Sequence, residues 1–144
     1  DTFLNDMATA MARLHPGRRP FDFLVASYNA IGDREATLDT MRIGLERDCL
    51  PMKEQSLLDN CYAWYWALAG VKGDDALKRI DAALETEGPR SDFLDTKAMV
   101  HVSRGEYEDA AKAAAAAARM SPQDVYMLWQ AERIDDIAQR YSID

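Results

Sequence analysis

Two cysteines, Cys49 and Cys61, and two histidines, His15 and His101, are the residues of this 144-residue chain whose types best suit nucleophilic or metal chemistry. Their spacing supports neither. There is no Cys-x-x-Cys, no His-Glu-x-x-His, no EF-hand loop and no glycine-rich phosphate loop. A thiolate nucleophile needs a nearby cation or a helix N-terminus. Cys61 instead lies in an apolar run with Tyr62, Trp64 and Trp66, which predicts a buried structural thiol. Cys49 falls near a helix end beside Pro51, which predicts an exposed and incidental residue, and two cysteines cannot build a disulfide framework. Lys97 and His101 are four residues apart and share a helix face, where an acidic partner on a half-solvated surface is expected. The acidic clusters Asp74-Asp75, Glu106-Glu108-Asp109 and Asp135-Asp136 suit helix starts and solvated faces. This reading predicts no catalytic residue, no cofactor site and no metal site.

The elements that position these residues are helices. Apolar side chains recur at helical spacing nearly throughout, and no segment alternates as a strand would. Glycine and proline marks at Pro16-Gly17, Pro20, Gly32, Pro51, Gly70, Gly73, Gly88-Pro89, Gly105 and Pro122 divide the chain. The intervals predict helices near 2–14, 21–31, 34–48, 53–70, 75–87, 92–104, 107–119 and 123–140, hence an all-α fold with short connections and antiparallel neighbours. Ser121-Pro122 reads as the start of the last helix, with Asp124 near its positive end. A hydrophobic content of 48% predicts a folded core, and 17 basic against 25 acidic residues, a net charge of −8, argues against nucleic acid as a partner. No apolar run is long enough to insert in a membrane, and no basic stretch precedes an apolar one at the start, so the cytoplasm is the default compartment.

The chain also repeats itself. Asp75-Ala76-Leu77-Lys78 superposes on Asp109-Ala110-Ala111-Lys112 at an offset of 34 residues, which carries Ala83 onto Ala117 and Gly88 onto Pro122. Gly32-Asp33-Arg34-Glu35-Ala36 is a looser third copy. In this period the chain resembles the tetratricopeptide repeat (TPR) family. Segment 91–124 carries the family pattern through Leu94, Ala98, Gly105, Tyr107, Ala110, Ala117 and Pro122, and departs from it at Lys97 and His101. Phe21, Leu24, Tyr28, Gly32 and Ala36 match in the first unit, and Tyr62, Ala63, Trp66, Gly70 and Ala76 in the second, where a register based on Gly73 stays open. The resemblance implies a right-handed α-solenoid of about three helix pairs in one domain over 1–144. Its parts would be an N-terminal helix (1–16), repeats at 18–50, 51–90 and 91–124, and a capping helix at 125–144.

It implies a non-enzymatic scaffold that binds a peptide or protein segment in a concave groove lined by the first helix of each pair. The groove residues so implied are Asp22, Asn29, Asn60, Trp64, Leu68, Asp92, Asp95 and Met99, joined by Arg19, Ala26, Ala30, Leu57, Ala67, Val102 and Ser103 at neighbouring positions. Asn29 and Asn60 would hold the ligand backbone, Trp64, Leu68 and Met99 would supply apolar contact, and the three aspartates would favour an apolar or basic segment. The basic clamp with which relatives grip acidic chaperone tails is lacking: Asp22, Ala26, Cys61, Asp92 and Thr96 stand at its positions. The alternatives are an architectural, self-associating or regulatory domain of a larger protein, or a small acidic chaperone of bacterial secretion type.

Overall fold

A computed structural model describes residues 2–14 and 20–141. It is all-helical, with no strand among the described residues. The helices are α1 (Thr2–Leu14), α2 (Pro20–Ile31), α3 (Arg34–Gly44), α4 (Gln55–Ala69), α5 (Gly73–Glu87), α6 (Ser91–Ser103), α7 (Tyr107–Met120) and α8 (Val125–Tyr141). A wider π turn, Leu45–Cys49, continues α3.

Local chemistry sets the boundaries. The Asp33 carboxylate accepts the Ala36 amide at 3.0 Å and caps α3. Gly70 ends α4 at φ +68, a left-handed conformation open to glycine at no steric cost. The expected cap of α8 is corrected by three residues. Asp124, not Ser121, accepts the amides of Tyr126 and Met127, at 3.0 and 3.3 Å, while the Ser121 hydroxyl bonds that of Ser91.

Packing follows chain order. α2 packs on α3, α4 on α5 and α6 on α7, forming three helical hairpins; α2 also meets α4, and α4 meets α6. The alanine-rich α7 buries Ala110, Ala113, Ala114, Ala117 and Ala118, and small side chains there allow close approach to its neighbours. α7 in turn packs on α8. Helix α1 packs on α2 and on α8, so the two ends of the described chain meet. Its buried Phe3, Met7 and Met11 are spaced as one helical stripe.

The largest departure from the sequence reading is at the α3–α4 corner. Cys49 and Cys61 form a disulfide and both are fully buried, so neither an incidental Cys49 nor a free Cys61 thiol is correct. The expected helix over 34–48 keeps α geometry only to Gly44; the π turn then aims Asp48 and Cys49 at α4. There the Tyr65 hydroxyl donates to Asp48 in a short hydrogen bond. The Tyr65 ring lies directly over Gly44, where a Cβ would overlap ring carbons. Gly44→Ala is therefore expected to destabilise the fold by about 1–3 kcal/mol through overpacking, read as a lower denaturation midpoint. Unchanged stability would mean that Tyr65 has room to move.

Candidate concave binding site

Side-chain contacts assign two sides of α4. Cys61 and Tyr65 face the α3 end. Tyr62 and Trp66 face α5, where the Arg79 guanidinium sits 4.4 Å and 5.3 Å from their ring centres and 3.1 Å from Asp59. Asn60, Trp64 and Ala67 occupy the remaining side by helical spacing. On α6 the corresponding positions are Asp95, Met99 and Val102, and on α2 they are Asp22, Ala26 and Asn29. Four residues of these rows, Asn29, Ala67, Met99 and Val102, line one common surface.

Much of the three rows is covered. Asp22, Leu68 and Met99 have no measurable exposure, and Trp64 and Asp95 have 3% and 4%. Asp95 accepts a short hydrogen bond from the Gln130 amide of α8, and Gln130 Oε1 accepts the Tyr126 hydroxyl at 2.7 Å. Asp92 lies at the other end of α6, paired with Arg90 at 2.8 Å. The three aspartates expected to select a basic ligand are thus two buried groups and one surface ion pair. Arg19 lies outside the described residues.

Toward the C-terminal ends of α2, α4 and α6 the surface stays open. Asn29, Ala67, Met99, Val102, Ser103 and Tyr107 line a cavity of about 470 Å³ there, with Arg104 at its rim. Asn29 donates from Nδ2 to the Leu68 carbonyl at 2.8 Å, which ties α2 to α4 and leaves its amide oxygen as a potential acceptor. The structure thus brings Asn29 and Met99 into one cavity and leaves Asp92 apart. Asn60 and Trp64 lie further along α4, and two of their polar atoms, Asn60 Oδ1 and Trp64 Nε1, are buried without a hydrogen-bond partner.

An ion cluster fixes the cavity rim. Arg104 Nε lies 2.7 Å from Glu106 Oε1, its Nη1 reaches Asp74 at 2.5 Å, and His101 Nδ1 lies 3.0 Å from the same Glu106 oxygen. Lys97, the other member of the i, i+4 pair, finds Asp81 of α5 at 2.7 Å. Both therefore have the acidic neighbours expected of them. The hydrogen bonds from Arg104 and then from His101 hold the Glu106 carboxyl below the usual carboxylate range, against the opposing effect of burial. A carboxyl that ionises more readily when folded stabilises the protein above its unfolded pKa, and the contribution is lost as pH falls through the folded value. Below pH 4.5 the stability of Glu106→Gln should fall less steeply than that of the wild type in acid titrations of the unfolding midpoint. Parallel acid limbs would assign the cluster no net electrostatic role.

Comparison with protein-family models, curated proteins and solved structures returns no match.

Proposed function

We propose that the chain is a non-enzymatic protein-interaction module of TPR type, with α2–α3, α4–α5 and α6–α7 as three stacked repeats in a right-handed solenoid. Support comes from the packing order, in which each first helix meets its own partner and the first helix of the next pair. The observation that carries the binding reading is the cavity that Asn29, Ala67, Met99, Val102 and Ser103 line together. These residues come from three helices, and all lie at positions where the family resemblance places ligand contacts. An apolar floor with a few amide and hydroxyl groups at the rim suits a peptide or protein segment.

The buried disulfide favours folding in an oxidising compartment over the cytoplasmic default. Exposed Met120, Val125 and Leu128 about the α7–α8 end favour a second reading, self-association through that end.

Ser103 is exposed, so Ser103→Trp fills the cavity without disturbing the core. In affinity capture from the native source, a partner held by the wild type should be lost by Ser103→Trp and kept by Lys112→Trp on the exposed face of α7. Retention by Ser103→Trp would move the working surface elsewhere. Concentration-dependent self-association that persists in Ser103→Trp would favour the α7–α8 end.

A further inference from the structure

Helix α1 has the character of a bound ligand. It lies between the first helix of the layer and the last helix of the described chain, packing on α2 and α8. Phe3 shares a cavity with Val102 of α6 and with Arg133 and Ile137 of α8, whereas Leu14, at the other end of α1, shares one with Trp129. The helix therefore runs opposite to α8 and presents Phe3, Met7 and Met11 inward. Its polar anchor is Asp6, 2.8 Å from Arg133.

The fit is incomplete on the polar side. Arg133 Nε, at the contact with Asp6, is buried without a hydrogen-bond partner. Methionine and alanine side chains cannot satisfy such groups, and buried polar atoms without partners are costly. Arg140 stands beside Arg133 in the cavity that Phe3 enters, so this seat is locally basic in a chain of net charge −8.

We propose that the α1 seat is a docking site for an amphipathic, acidic helix of a partner protein, and that α1 occupies it as an intramolecular stand-in. This rests on the concave-surface reading above and gives its ligand a chemistry. The partner helix carries large apolar side chains at i, i+4 and i+8, a carboxylate opposite Arg133, and a further acceptor within reach of Arg133 Nε. The acidic preference is opposite to the basic one expected from Asp22, Asp92 and Asp95, because the fold engages or buries those residues.

The test uses the full chain and a labelled synthetic peptide of residues 2–14. In Met7→Asp/Met11→Asp, α1 should lose amide-exchange protection while α2–α8 keep theirs. If α1 is seated nine times in ten, the released chain should bind the peptide about ten-fold more tightly than the wild type does. Adding Arg133→Glu should abolish that binding, and an Asp6→Lys peptide should restore it. A released chain with α2–α8 protected that ignores the peptide, or binding indifferent to Arg133→Glu, overturns the proposal. So does dimerisation of the released chain that the peptide fails to suppress, which would make a second copy the occupant. Should the double variant unfold, Asp6→Arg sets like charges at the same contact without touching the core. Unchanged α1 protection and unchanged peptide binding in that variant would also overturn the proposal. Loss of a native partner by Ser103→Trp alongside such a failure would leave the cavity reading intact and remove only the α1 seat.

Discussion

Replacing both cysteines, Cys49→Ala and Cys61→Ala, should lower the unfolding free energy by about 3 kcal/mol and the melting temperature by roughly 6–12 °C. The bridge closes a segment of sequence separation 12 between the π turn and α4. Removing it returns loop entropy to the unfolded chain, and a loop of that length gives the quoted figure in the chain-entropy description. A second effect acts on the folded state. Asp48 and Gly44 reach Tyr65 only while the π turn stays against α4. Without the covalent tie that turn can relax toward a regular helix and carry Asp48 away. Both sulfurs are inaccessible to solvent, so a reductant added to the native protein should act no faster than the corner opens. Paired denaturation curves of the wild type and the double variant, with the reductant omitted and then included, separate these contributions. Equal midpoints for the oxidised wild type and the double variant would mean that noncovalent packing alone fixes the corner.

The corner also marks where sequence reasoning stops. Helical periodicity placed eight helices within a few residues of where they lie, because one-sided burial leaves its period in the sequence. The end of α3 was not legible. A π turn adds a backbone residue to a helix without an apolar signature, and it is this insertion that swings Cys49 from an apparently free helix end onto Cys61. Ser121-Pro122 misled for a related reason. It has the residue types of a helix start, but Asp124 offers a carboxylate to two amides at once, and the Ser121 hydroxyl is used against Ser91.

The inner surface shows the same division. Helical spacing put Asn60, Trp64 and Ala67 on one side of α4, and Asn29 and Met99 do share a cavity. That Asp95 is consumed by Gln130 of α8, and that α1 lies against both α2 and α8, depends on how far the helix layer curves. Curvature is a sum of small packing angles between helices distant in the chain, and no local pattern encodes it. Helix α1 packs on α2, its neighbour in the chain, and also on α8, a distant contact that no local pattern encodes.

Trp64→Ala should cost about 3–5 kcal/mol, the range for emptying a buried aromatic site. At 3% exposure the indole is part of the core, so this substitution destabilises the chain whatever it does to ligand binding. A loss of binding in Trp64→Ala would therefore carry no information about contact. Trp64→Phe separates the two roles. Phenylalanine keeps most of the ring, and it removes an N–H that is buried without an acceptor. Relief of that unsatisfied donor offsets part of the lost contact area, so Trp64→Phe should stay within about 1 kcal/mol of the wild type. If the inner surface takes a polar ligand group at this point, Trp64→Phe should fold normally and bind it more weakly, since the donor is gone while the wall remains. If Trp64 serves only to pack the interior, the Phe variant should match the wild type in both respects. Destabilisation by Phe as large as by Ala would show that the whole indole, and not only its six-membered ring, is needed to fill the site. Chemical denaturation beside peptide titration on the same two variants distinguishes these three outcomes.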